Sequence, residues 1–301
     1  MKKVIWQFFM AAAALGLIPG GSAQAQNLND TLARIKQDRQ IIVGHRESSV
    51  PFSYYDNAQN VIGYSQDYSN LIVAAIKKAL GMPDLAVKLV PITSQNRIPL
   101  LLNGSYDFEC GSTTHNLERQ RQVDFSNTIF IVSTRLLAGK DSGISDFEDL
   151  RGNTVVVTSG TTSEKMLFAI NDDNDLRLDI ISAKDHGDSF RTVESGRAAA
   201  FFIDDAILAG ERAKAKNPKD WVIVGTPQSY EAYGCMFRKG DARLKKLMDD
   251  VIIQAQSSGA ALKFYNKWFL NPIPPKNVNL EFEMADVMKQ LFASPNDKAF
   301  Q

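Results

Sequence analysis

From residue 41 onward, short apolar runs alternate with segments of helical period, and this alternation restricts the fold more than any other feature of the chain. Ile41-Ile42-Val43 has the composition of a short buried strand. Leu71, Ile72, Ala75, Ile76, Ala79 and Leu80 then recur three and four residues apart, which predicts an amphipathic helix over 67–80, closed by Gly81 and Pro83. Strands are expected at 87–91, 106–110 and 128–137, with a short helix at 96–102 and a helix start in the Arg-containing segment near 117. A second series opens after Leu150-Arg151-Gly152. Strands at 154–157, 180–181, 199–203 and 222–224 there alternate with helices at 164–170, 188–196 and 205–216. Repetition of this kind gives a mostly parallel sheet covered by helices. A late strand at 231–237, helices near 242–257 and 260–269, and a helical pattern from Met284 to Leu291 complete the chain.

The segment before this region has a different character. Lys2 and Lys3 precede an apolar run from Val4 to Leu17, and Ala23-Gln24-Ala25 closes it. A charged start, an apolar middle of ~7–15 residues and an A-x-A end make a secretory signal peptide over residues 1–25. The run is shorter than the ~18 residues needed to span a membrane. No Cys lies near the cut, which disfavours a lipid anchor. An exported mature chain starting at Gln26 is the expectation, leaving about 276 residues, enough for one large domain or two ordinary ones. Lys and Arg number 34, as do Asp and Glu, and no basic block stands out, so nucleic acid is not an expected partner. Cys110 and Cys235 can pair with each other in an exported protein, or stand as two buried thiols. With no CxxC spacing and only His45, His115 and His186, no metal or cofactor site is expected.

The stretch from Gly104 to Arg119 holds the densest chemistry. The strand expected at 106–110 is followed by Gly111-Ser112-Thr113-Thr114 and then by Glu118-Arg119. Hydroxyls at a helix start cap its free N–H groups or leave them for an anion. Arg119, returning over the turn, offers a planar fork that suits a carboxylate. Other polar clusters also sit where strands end: Arg46, Ser94 to Arg97, Thr158 to Thr162, the loop with His186, and Asp204. Ligands of open α/β sheets bind at such ends.

Asn103-Gly104 through Asp107, the Ser/Thr turn, Glu118-Arg119 and Asp124-Phe125-Ser126 resemble the signature of the bacterial extracellular solute-binding proteins for polar amino acids. The resemblance covers nearly all the chain after residue 38. It is closest to periplasmic glutamate/aspartate-binding proteins of ABC importers, through Gly44-His45-Arg46-Glu47-Ser48-Ser49-Val50-Pro51-Phe52, Thr93-Ser94-Gln95-Asn96-Arg97-Ile98-Pro99 and Ala183-Lys184-Asp185-His186-Gly187-Asp188. It implies an α/β fold of two lobes, each a mostly parallel sheet flanked by helices, joined by a two-strand hinge. Lobe 1 would take residues 26–134 and 230–301, and lobe 2 residues 135–229. A Cys110–Cys235 bridge would agree with that, since it returns the late strand to the first lobe.

The same similarity assigns Arg119, Ser112 and Thr114 to a ligand α-carboxylate, with Thr162 as a donor from the second lobe. Asp204 matches the family's ammonium-binding Asp; taken alone it is equally a cap for the helix beginning at Asp205. Arg46, Ser94, Arg97 and His186 are left to serve a second anionic group, because a neutral side chain would leave buried cations unpaired. Two departures stand out. Ser49 occupies the position of an aromatic that stacks on the ligand in many polar amino-acid binders, leaving Tyr64 as a possible cover. The common Asp of the Gly-Arg-x-Asp-Ala stretch is Ala199. The function implied is capture of L-glutamate or L-aspartate by hinge closure and delivery to membrane permease subunits, by a monomeric, unanchored periplasmic receptor. The alternative is an exported enzyme of dehydratase or lyase type on the same fold, for which His186 and Glu47 are the acid/base candidates. The preference between the two acids, the affinity, the partner permease, any sensory role and the role of the segment after Pro275 are not read from the sequence.

Overall fold

The computed structural model describes residues 30–299. The signal peptide expected over residues 1–25 lies outside the described residues. In chain order the strands are β1 (Gln40–His45), β2 (Ser48–Ser49), β3 (Ser53–Tyr55), β4 (Val61–Ile62), β5 (Ala86–Pro91), β6 (Phe108–Glu109), β7 (Val123–Gly139), β8 (Thr154–Thr158), β9 (Asp179–Ala183), β10 (Ala200–Asp204), β11 (Trp221–Val224) and β12 (Tyr230–Arg238). The main sheet runs β5-β1-β6-β12-β7-β10-β8-β9, with β11 also on β7. Pairings of β1 with β5 and β6, and of β8 with β9 and β10, are parallel. Antiparallel pairings gather around β7 and β12.

That gathering makes two lobes. β7 pairs with β12 from Val123 to Ser133, and then with β10 and β11 from Thr134 to Gly139. A single long strand therefore passes from one lobe into the other, and the chain returns just before Tyr230. Thr134 and Ser229 bond at this crossing, through Thr134 N to Ser229 O at 3.2 Å and Ser229 N to Thr134 Oγ1 at 3.0 Å. The first lobe has an aromatic core in which Phe130 packs with Phe52, Tyr64, Tyr265 and Phe269. The second buries Leu136, Val155, Val157 and Leu167 around Phe202, whose ring meets Phe147 edge-on.

Several elements differ at their ends from what periodicity alone gives. The first long helix begins at Tyr64, three residues before the expected start, because Tyr64 and Tyr68 extend the stripe of Ile72 and Ile76 into the core. It ends where Gly81 turns left-handed (φ 63°) and its N–H returns to Lys77 and Lys78. The strand expected at 106–110 keeps only Phe108–Glu109 in the ladder. Its flanks are engaged elsewhere: Asp107 by Arg34 and Arg238, Cys110 by a disulfide to Cys235 with Cα atoms 4.2 Å apart. The helix Thr31–Asp38 and the small sheet β2-β3-β4 carry too little pattern for the sequence to announce them. After the helices Ala242–Ser257 and Ala260–Phe269, a last helix, Asp286–Ala293, buries Met288 and Leu291 on the first lobe, and Asn296 O accepts from Thr128 N at 2.8 Å. Among the described residues no helix is long and apolar enough to cross a membrane.

Candidate ligand-binding cleft

Local chain chemistry sets each side chain at the gap between the lobes. The four-residue helix Leu117–Gln120 is capped by Asn116, whose side chain accepts from Arg119 N at 2.9 Å. The hydroxyls of Ser112, Thr113 and Thr114 are thereby spared capping duty. Arg119 folds back as its spacing suggests, with Nη1 on Thr114 O at 2.9 Å. Asp185 caps the helix His186–Glu194 and sets His186 at its first position. Thr161 caps the helix Thr162–Asp173, which starts beside the cleft. Asp204 precedes the helix Asp205–Lys214 but makes no side-chain cap bond, so the capping alternative does not hold.

A cavity of about 620 Å³ separates the lobes, lined by Ser94, Arg97, Thr114 and Arg119 from the first lobe and Gly160 and Thr162 from the second. Arg46, Ser112, His186 and Asp204 do not line it; all four are buried behind its walls. Arg46 Nη1 lies 3.4 Å from Ser112 Oγ, and Arg97 Nη1 reaches Thr113 Oγ1 at 2.7 Å. His186 Nδ1 meets Thr158 Oγ1 at 2.9 Å, and Tyr233 donates its hydroxyl to Asp204 Oδ2. Arg97 Nε, His186 Nε2 and Asp204 Oδ1 have no partner, and neither does Oε2 of the buried Glu109. Tyr64 is elsewhere. Its ring is wholly inside the first lobe's core and its hydroxyl donates to Ile129 O at 2.8 Å, so it does not cover the cleft. Its ring meets Phe52, Tyr68, Phe130 and Phe269 within that core, and this corrects the expectation for Tyr64.

Burial governs the electrostatics. Loss of water lowers Arg46 to about 10, with Arg97 beside it adding to the effect, and lowers Arg119 to about 9, again aided by Arg97. Arg97 is lowered by burial too, and the Glu109 carboxylate opposes the fall. His186 is pushed well below its ordinary value by burial, then by Arg46 and Arg97, so its ring is neutral. The tautomer in which Nδ1 accepts from Thr158 leaves a proton on Nε2 for an acceptor in the cleft. Asp204 is pushed well above its ordinary range by burial first and then by Glu231.

Two acids that sequence reasoning missed belong to this group. Glu109 is fully buried under Arg97 and accepts from Thr113 Oγ1. Glu231 accepts from Thr114 Oγ1 and, at 2.8 Å, from Thr162 Oγ1. The available signal was a charged residue inside an otherwise apolar strand, Phe108-Glu109-Cys110 in one case and Glu231-Ala232-Tyr233 in the other. Glu47, a candidate for acid/base work, is exposed. Among the described residues no group of three or more His, Cys, Asp or Glu is placed to hold a metal.

The lobes touch across the cleft at several points. Arg119 Nη2 lies 3.4 Å from Gly160 O, Ser48 Oγ donates to Asp185 Oδ1 at 3.0 Å, and Lys165 pairs with Glu118 at the rim. A cleft walled by two lobes on a two-strand hinge, with charges of both signs inside it, matches a known family: residues 41–271 fit the bacterial extracellular solute-binding proteins, family 3. The chain belongs to that family. It is 68% identical over 269 residues to the glutamate/aspartate import solute-binding protein of Salmonella typhimurium, covering 89% of each chain. To the protein of the same name in Escherichia coli it is 64% identical over 294 residues, covering 96% of this chain and 97% of that one. Among solved structures it resembles holo ArgBP from T. maritima, with a TM-score of 0.66 and 28% identity over 78% of this chain and 98% of that one. Relatives named for import and solute binding do not favour the enzyme alternative.

Proposed function

We propose that the chain is the solute-binding component of an ABC importer and that it closes on L-glutamate or L-aspartate between its lobes. The observation that carries this reading is that buried polar atoms in the cleft wall and just behind it have no partner within the protein. Arg97 Nε is a donor, Asp204 Oδ1 is an acceptor, and His186 Nε2 is a donor in the tautomer whose Nδ1 accepts from Thr158. Unpaired buried polar groups are costly, and an acidic amino acid supplies their complements in one molecule, two carboxylates and an ammonium. Arg119 and Ser112 serve the α-carboxylate, and Asp204 the ammonium. Arg46, Ser94, Arg97 and His186 serve the side-chain carboxylate. The names of the Salmonella and Escherichia relatives support the same ligand pair.

The reading extends to the setting. Cleavage after residue 25 would release a monomeric, unanchored receptor into the periplasm, and permease subunits would receive the closed form. Lobe 1 comprises residues 26–134 and 230–301, and lobe 2 residues 135–229, with the boundary at the Thr134–Ser229 contact. Closure follows from ligand contacts that exist only when both lobes are engaged.

Calorimetric titration of refolded, ligand-free mature protein with L-glutamate, L-aspartate and L-glutamine tests the reading. Saturable binding of both acids with little or none of glutamine is the expected result. Arg97→Ala should weaken both acids by roughly 10- to 100-fold, the loss expected when a buried charged donor is removed. Equal binding of glutamine would overturn the roles given to Arg46, Arg97 and His186.

A further inference from the structure

Glu231 is buried on β12, opposite Val132 of β7, at the first-lobe side of the crossing. A single oxygen, Oε2, accepts from Thr114 in the first lobe and from Thr162 in the second. The other, Oε1, lies 3.5 Å from Ser229 Oγ. A hydroxyl has one proton and two lone pairs. Once the proton is given to Glu231, the oxygen can only accept from anything else. Thr114 and Thr162 both line the cavity, and they therefore turn lone pairs toward it. Asp204 adds an unpartnered acceptor close by, its second oxygen being held by Tyr233.

We propose that Glu231 is a positioning residue that fixes the Thr114 and Thr162 hydroxyls as acceptors and thereby makes their end of the cleft a seat for the ligand's ammonium. The inference rests on the reading of the cleft as an amino-acid site. It revises the role expected for the two hydroxyls, which become acceptors from the amine, and leaves the α-carboxylate to Arg119 and Ser112. The mutual repulsion of Glu231 and Asp204, which helps to raise the Asp204 carboxyl, is relieved when a cation enters between the acceptors. Glu231 thus acts on specificity: it favours a dicarboxylate that carries an amine over one that does not.

The test compares L-glutamate with glutarate, the same dicarboxylate without the amine, by titration into ligand-free wild type, Glu231→Gln and Glu231→Ala. The Ala variant should bind L-glutamate about tenfold more weakly, the scale of one lost charge-assisted hydrogen bond. Its binding of glutarate should hold or improve, so the ratio of the two affinities shrinks by about tenfold or more. Gln keeps an acceptor oxygen for the hydroxyls and should fall between. If the Ala variant does not fold by circular dichroism, the near-isosteric Gln variant carries the comparison. An equal loss for both ligands, or an unchanged ratio in folded variants, overturns the proposal while the wild type still binds glutamate. A wild type that binds no glutamate overturns the amino-acid reading itself, and this inference with it.

Discussion

Asp204 shows how much a single side chain gains from its surroundings. Its place at the end of a strand is plain in the sequence, yet a cap for the next helix and a ligand acceptor were equally open there. The structure removes the cap, because the carboxylate makes no cap bond; one of its oxygens is left unpartnered near Glu231. Its carboxyl is raised above 3.8 in the free protein. A ligand ammonium favours the ionised form and lowers it again, so binding expels a proton. Affinity should therefore rise with pH between 3.8 and the raised value, and be lost as pH falls through that window. By the same linkage the ligand-free fold loses stability as pH rises through the window, since the folded state holds the proton more tightly than the unfolded chain. Titrations at one pH in buffers of different ionisation heat measure the proton count, and absence of release would contradict this role for Asp204. Glu109 and Glu231 show the opposite limit of legibility. An acid within a strand looks like an ordinary alternation until the fold shows that its face is buried against arginine or threonine.

At the scale of elements, the turn before the helix Thr162–Asp173 decides whether the lobes can meet. Gly160 adopts φ +77° and lies so close to the first lobe that a Cβ there would stand 2.5 Å from Gln95 Cα. Its carbonyl faces Arg119 Nη2. Gly160→Ala should therefore hold the lobes apart, with a left-handed backbone cost of roughly 1 kcal/mol in addition. We expect a drop in L-glutamate affinity of about tenfold or more, and an unliganded radius of gyration by X-ray scattering that stays high when ligand is added. Normal closure in the variant would remove Gly160 from this role. The rim pair of Lys165 and Glu118 has both side chains more than half exposed, and exposed pairs contribute little. Helix periodicity located the elements around the cleft well, and helices 242–257 and 260–269 agree with it residue for residue. Their neighbours moved by a turn where a buried aromatic, such as Tyr64, continued the stripe.

For the molecule as a whole, the Cys110–Cys235 bridge closes a separation of 125 residues and ties β12 to the segment after β6. Replacing both cysteines by alanine should cost ~4–5 kcal/mol in the chain-entropy account. At about 2–4 °C per kcal/mol for a chain of this size, the melting temperature should fall by roughly 10–20 °C. Neither cysteine lines the cavity, so glutamate binding at 25 °C should persist; its loss along with stability would show that the bridge also shapes the cleft. The sequence by itself determined the α/β class, the two strand–helix series and the polar clusters at strand ends, because period, strand ends and residue chemistry are local properties of a chain. Only the tertiary structure decided that β7 serves both lobes, that Tyr64 belongs to the core, and that Glu231 joins Thr114 to Thr162. Those facts depend on which surfaces come together and lose water, and residues far apart in sequence carry no local mark of that meeting.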